Sequence, residues 1–62
     1  MNVKDALKSW HWLQEGLRDC DEKFAVRLLQ AEQNGLNRTG FVLRIHSRIN
    51  RLRRARERRE LA

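Results

Sequence analysis

The fold of this chain depends most on a sixteen-residue stretch, RIHSRINRLRRARERR, at residues 44–59. The stretch contains eight of the eleven arginines in the sequence, together with Ile45, Ile49 and Leu52. In an α-helix, at about 100° per residue, these apolar side chains share one face. Four arginines line up on a neighbouring face, namely Arg44, Arg48, Arg51 and Arg58, and together with Arg54 we call them the arginine ridge. The stretch predicts a helix with one side in a core and an adjoining side that is cationic.

Charge is distributed unevenly around this stretch. Residues 1–37 carry five basic and six acidic side chains, a net charge of −1, whereas residues 38–62 carry nine and two, a net charge of +7. The sum is the net charge of +6. Clustered cations of this kind are typical of proteins that bind nucleic acid or another acidic surface, although a solvated charged face is the common alternative.

The length of 62 residues allows one domain, so we expect residues 1–62 to form a single helical unit of marginal stability. The lone Cys20 cannot form an internal disulfide, and Cys20, His11 and His46 lack the spacing of a metal site. No apolar run approaches the roughly 18 residues of a membrane span, and no signal pattern opens the chain. We therefore expect a cytoplasmic protein that has no metal, cofactor or membrane partner.

A helical repeat extends through the first half of the chain. Its apolar residues alternate at spacings of three and four: Val3, Ala6, Trp10, Leu13, Leu17, Cys20, Phe24, Leu28 and Ala31. The simplest prediction is one long helix over residues 3–34. The alternative is a break near residues 19–22, where Asp19 would cap a new helix and Glu22 would complete a capping box.

The long helix is predicted to end at Asn34-Gly35. Gly35 would adopt the left-handed conformation of a helix C-cap, with Leu36 as the hydrophobic contact of a Schellman motif. After a turn at residues 35–38, capped by Asn37 or Thr39, a second helix is expected over residues 39–60. The predicted fold is all-α: a helical hairpin with a long first helix and a basic second helix.

The predicted first helix is longer than the second, so its N-terminal apolar residues lack partners within the chain. A second copy would cover them and complete a four-helix bundle, and we expect a homodimer. Trp12 lies about 200° from Trp10 on a helix, with Gly16 one turn further along, and this places an aromatic ring beside a shallow notch. The expected partner or dimer interface comprises Val3, Leu7, Trp10, Trp12 and Gly16.

No residue pattern of an enzyme is present, since the sequence has neither a glycine-rich phosphate loop nor a Ser/His/Asp set. We expect no catalytic residue. Arginine rows bind phosphates well, and the ridge spans about 21 Å of helix, so we expect the ridge to bind RNA or DNA in a small regulatory protein. The alternative function is an adaptor or inhibitor that captures a protein partner through the N-terminal tryptophan and apolar face.

The segment RRARERRE at residues 53–60 resembles the arginine-rich helices with which the antitermination N proteins of lambdoid phages bind an RNA hairpin. The resemblance covers eight residues and implies RNA phosphate contacts by Arg53, Arg54, Arg56, Arg58 and Arg59. The alternative for the same segment is a solvated helix end held by Arg53–Glu57 and Arg56–Glu60 ion pairs, each contributing a few tenths of a kcal/mol.

Overall fold

The computed structural model describes residues 1–61, and these residues form four helices. They are α1 (Val3–Ala6), α2 (Trp10–Arg18), α3 (Glu22–Asn34) and α4 (Thr39–Leu61). The predicted all-α class is confirmed. The second predicted helix, at residues 39–60, corresponds closely to α4, and the predicted turn at residues 35–38 joins α3 to α4.

The single long helix predicted over residues 3–34 is wrong, because the chain breaks at residues 7–9 and again at residues 19–21. Each break ends at a residue that caps the next helix. The backbone N–H of Trp12 donates to Ser9 Oγ at 3.3 Å, and that of Phe24 donates to Asp21 Oδ1 at 2.8 Å. The break near Asp19 was the alternative prediction, but the cap is Asp21, and Asp19 ends α2. These caps satisfy donors that a continuous helix would have bonded internally.

The turn between α3 and α4 also differs in detail from its prediction. Gly35 has φ −104°, and the residue with left-handed backbone is Asn37, at φ 49°. Leu36 is 76% exposed and so makes no Schellman contact. The backbone N–H of Asn37 instead donates to the Glu32 carbonyl at 2.6 Å. Arg38 immediately precedes α4 and its carbonyl accepts the first helical bond, from Val42, so neither Asn37 nor Thr39 occupies the cap position.

The core lies where α1, α2 and α3 meet the first half of α4. Its buried apolar residues are Ala6, Leu13, Leu17, Ala25, Leu28, Ile45 and Ile49. α3 and α4 run antiparallel, since Glu32 pairs with Arg38 beside the turn and Glu22 pairs with Arg56 at the other end of α3. The apolar residues of the first half that recur at spacings of three and four are buried or partly buried, with the exception of Trp10.

α1 folds back over the rest of the chain, and this overturns the expectation of an uncovered N-terminal apolar face. α1 packs against α2 and α3. Ala6 is fully buried, and Val3 and Leu7 are partly buried against the core. A Cβ atom built on Gly16 would lie 3.0 Å from Ala6 Cβ and 3.2 Å from Met1 Sδ. The predicted notch at Gly16 is therefore filled from within the same chain.

Arg38 joins three of the four helices at the turn. Its Nη2 donates to Glu32 Oε1 at 2.6 Å and to the Leu7 carbonyl, at the end of α1, at 2.8 Å. Its guanidinium carbon lies 3.5 Å from the centroid of the Phe41 ring in α4. Glu32 is 2% exposed. Burial of this carboxylate is tolerable because the guanidinium and the Arg38 backbone N–H both bond to it.

Candidate nucleic-acid interface

The side of α4 that faces away from the core is exposed and mostly polar. Ile45 and Ile49 turn one side of the helix into the core, so residues on the opposite side face away from α3. We call this opposite side the outward face. Its residues are all exposed, and they are Leu43, His46, Ser47, Asn50, Arg51, Arg54, Ala55 and Arg58.

The arginine ridge divides into two parts on the folded protein. Arg51, Arg54 and Arg58 belong to the outward face, and no acidic oxygen within residues 1–61 lies within ion-pair distance of any of them. Arg44 and Arg48 lie further round the helix, toward α2, and are partly buried. The arginine ridge predicted from the sequence therefore consists of three arginines without an ion pair among residues 1–61 and two arginines that bond to other groups of the protein.

The bonds of Arg44 and Arg48 are both made to α2. Arg44 Nε donates to Gln14 Oε1 at 2.6 Å, and Arg48 Nη2 donates to the Arg18 carbonyl at 3.1 Å. Arg18 is the last residue of α2, so Arg48 places a cation at the negative end of that helix dipole. Arg48 Nε is buried and has no partner in the described chain. Neither acceptor carries a charge, so both guanidinium groups keep their full positive charge.

Three of these cations surround one small cavity. Arg44, Ser47, Arg48 and Arg51 line a surface cavity of about 250 Å³. Three guanidinium groups within two helical turns repel one another, and a phosphate placed between them would relieve that repulsion. Ser47 adds a hydroxyl donor. The cavity therefore has the charge and the donors of an anion site at the edge of the outward face.

Among residues 1–61, the ion pairs of α4 are made by Arg56 and not by the arginine ridge. Arg56 Nη1 lies 3.6 Å from Glu22 Oε2, and Arg56 Nε lies 4.0 Å from Glu60 Oε1. The predicted Arg56–Glu60 pair is thus present at the limit of ion-pair distance, whereas the predicted Arg53–Glu57 pair is absent from the described residues. Arg56 is the arginine of this segment with an acidic partner, and Arg53, Arg54, Arg58 and Arg59 are exposed.

The residues expected at a partner interface are separated by the fold. Val3, Leu7 and Gly16 take part in the packing of α1, so they form no open surface. Trp10 and Trp12 are 47% and 45% exposed. Trp10 meets Phe41 edge to face at 5.6 Å between centroids, and Trp12 meets His11 in the same way at 5.2 Å. Both tryptophans are therefore exposed, including Trp10, which the spacing of three and four had placed among the core residues.

His46, Ser47 and Asn50 were not identified from the sequence as site residues. They lie on the outward face, and Asn50 Nδ2 is 3.4 Å from His46 Nδ1. Ser47 lies opposite Ile45 and Ile49 on the helix, and Asn50 lies beside Ser47, whereas His46 lies nearer the apolar side. The spacing of the arginines alone does not identify the uncharged side chains that lie between them. These polar groups are the ones on α4 suited to recognising a base edge.

Other kinds of site find no support in the part of the chain that the structure describes. No group of three or more His, Cys, Asp or Glu side chains is placed to hold a metal ion there. Among the four described helices, none combines the length and the apolar character needed to cross a membrane. Comparison of the chain with protein-family models, with curated proteins and with solved structures found no match.

Proposed function

We propose that this chain is a small regulatory nucleic-acid-binding protein and that α4 makes the contact. The observation that carries the proposal is the presence of Arg51, Arg54 and Arg58 on one open helix face, where none of the three makes an ion pair among residues 1–61. Guanidinium groups bind phosphate oxygens in pairs and attract the backbone of either RNA or DNA. Arg44 and Arg48 support the same contact through the cavity that they share with Ser47 and Arg51.

A salt titration of binding tests this proposal. Affinity for fluorescently labelled duplex DNA and RNA hairpins is measured between about 50 and 200 mM salt. If the five ridge arginines each neutralise a phosphate, log affinity for duplex DNA falls against log salt with a slope of about −4 to −5. We expect each of the substitutions Arg51→Ala, Arg54→Ala and Arg58→Ala to reduce that slope by about one.

The matched control is Arg27→Ala, which removes the same charge from an exposed position on α3. It lowers the net charge equally but leaves the outward face of α4 unchanged. The proposal fails if Arg27→Ala changes the slope as much as Arg54→Ala does. It also fails if every duplex, hairpin and single strand binds more weakly than about 10⁻⁴ M at physiological salt, which lies outside even non-specific binding.

The second candidate function is capture of a protein partner, and the exposure of both tryptophans favours it. A surface depression that could receive an apolar side chain is lined by Trp12, Met1, Asp5 and Lys8. The same set of variants separates the two functions. The protein-partner function would be favoured if Trp12→Ala abolished binding of a recovered partner protein. In that case the triple alanine variant of Arg51, Arg54 and Arg58 would bind the same partner with unchanged affinity.

A further inference from the structure

The outward face of α4 is uncharged along the middle of its N-terminal half and cationic along one side of that middle. A single line of residues runs along its centre at spacings of four, three and four: Leu43, Ser47, Asn50 and Arg54. Beside this line, Arg44, Arg48 and Arg51 form a cationic flank, whereas the other flank holds Arg53 together with Glu57, judged by their angles on the helix. In a nucleic-acid groove, bases lie along the floor and phosphates along the rims, so the central line corresponds to the floor and the cationic flank to one rim.

We propose that α4 lies in the major groove of duplex DNA, with Asn50 reading a base edge at the floor of the groove. This inference rests on the proposed function and adds to it the class of nucleic acid and the residue that discriminates sequence. Asn50 is suited to adenine, because its amide can donate to N7 and accept from N6 at the same time. The Ser47 hydroxyl, on the same line, bonds to either kind of base.

The dimensions of α4 favour this groove. The helix has 23 residues, a length of about 34 Å, and its outward side is free of α1, α2 and α3. A helix with its side chains is about 10–12 Å across, and the major groove of B-form DNA is about 12 Å wide. The corresponding groove of an RNA duplex is too deep and narrow for side chains to read. The free side of α4 therefore fits duplex DNA better than duplex RNA.

The packing of the rest of the chain agrees with this orientation. Arg44 and Arg48 are held on the α2 side of α4 by Gln14 and the Arg18 carbonyl, so their guanidinium groups are fixed beside the outward face and not on it. With the outward face in the groove, these two guanidinium groups come to the phosphate rim. The contact between Asn50 and His46 is long, at 3.4 Å, so a base can replace it at little cost.

The test is selection from a pool of randomised DNA duplexes, followed by affinity measurements on the enriched sequence and its single-base variants. We expect a short preferred sequence and a loss of about 5- to 150-fold in affinity when the base pair contacted by Asn50 is changed. In Asn50→Ala this discrimination disappears, while the slope of log affinity against log salt stays the same, because no phosphate contact is lost. The control is Gln30→Ala, which removes an exposed amide from α3 and leaves the preference intact.

Each remaining outcome has a definite meaning. Salt-dependent binding without any enriched sequence, or a preference that survives Asn50→Ala, overturns the base-reading inference and leaves the proposed function standing. Tighter binding of an RNA hairpin than of every selected DNA duplex also overturns it. Absence of binding to any nucleic acid defeats both. Asn50 is exposed, so we expect Asn50→Ala to fold like the unsubstituted chain. An unchanged helical content and unfolding midpoint check this.

Discussion

Glu32 and Arg38 show how much a single pair of residues contributes to this small fold. Glu32 is a buried carboxylate, and Arg38 connects it to the end of α1 and to the Phe41 ring. Hydrogen bonds from Arg38 hold the pKa of the Glu32 carboxyl below its ordinary value of 4.5, against the opposing effect of burial. The same bonds raise the pKa of Arg38 above its ordinary value. Neither residue stands out in the sequence, because six residues separate them across a turn.

The lowered pKa of Glu32 makes the stability of the fold depend on pH in the acidic range. A carboxyl with a lower pKa in the folded chain binds fewer protons there than in the unfolded chain. Its contribution to the free energy of unfolding is therefore complete above the unfolded pKa, and it is lost as pH falls through the folded pKa. We expect Glu32→Gln to lower the free energy of unfolding at pH 7 by about 1–3 kcal/mol and to lessen its decline toward pH 3. Urea unfolding at several pH values measures both effects.

The control for this prediction is Glu57→Gln, which changes an exposed carboxyl on α4 that has no ion pair among residues 1–61. It should leave both the stability at pH 7 and the decline in acid close to those of the unsubstituted chain. An equally steep decline in Glu32→Gln would show that other carboxyls control the acid response.

At the scale of the elements, α1 is the least expected feature. It has four residues, too few for a helix that is stable by itself, so packing and its caps must hold it in place. Asn2 Oδ1 accepts from the Asp5 backbone N–H at 2.8 Å, and Arg38 bonds to the Leu7 carbonyl after the helix. Gly16 lets Ala6 approach α2 closely. The position of α1 therefore depends on the lack of a side chain at Gly16 and on the hydrogen bond from Arg38.

Two glycine substitutions test the close approach of α1 and α2. Gly16 and Gly40 both lie in helices, and alanine at either should gain about 1 kcal/mol of helix propensity. A Cβ at Gly40 meets nothing within 4 Å, whereas a Cβ at Gly16 meets Ala6 at 3.0 Å. We expect Gly40→Ala to stabilise the chain and Gly16→Ala to be less stable than Gly40→Ala by about 1–2 kcal/mol.

Denaturant unfolding of the two variants provides the comparison, and hydrogen exchange of the first eight residues reports whether α1 is still docked. Equal gains in stability for both variants, with unchanged exchange in α1, would show that the contact at Gly16 is not tight in solution.

At the scale of the whole molecule, the open question is how many copies of the chain assemble. The homodimer was expected because N-terminal apolar residues seemed to lack partners, and α1 now supplies those partners. We keep the homodimer as a proposal on the ground of length, since a chain of 62 residues buries a smaller share of its unfolded surface, about 60%, than a larger domain does. The large apolar side chains still exposed include Trp10, Trp12, Leu36 and Leu43.

Sedimentation equilibrium at micromolar concentration measures the assembly directly. We expect twice the 7.5 kDa mass of one chain, and we expect Trp12→Ser to shift the equilibrium toward the single chain. A mass of 7.5 kDa together with full helical content would contradict the dimer and show that the seven buried apolar residues suffice for one copy.

Much of this architecture is determined by the sequence itself. Spacings of three and four fix the angle of each apolar side chain on its helix, so the core positions Leu13, Leu17, Leu28, Ile45 and Ile49 can be read without a structure. The bounds of α4 follow from the Asn-Gly turn before it and from the absence of proline or glycine after Gly40. The cationic character of its free side follows from composition alone.

The tertiary structure decided where the first half bends and which arginines remain free. A three-four pattern keeps its phase across a short break, so spacing does not distinguish one long helix from three capped ones, and the energies of the Ser9 and Asp21 caps and of α1 packing make the choice. Likewise, the freedom of an arginine depends on its distance to another helix. Arg48 reaches the end of α2, whereas Arg54 faces away from every helix, and a helical angle measured on α4 alone contains no information about that distance.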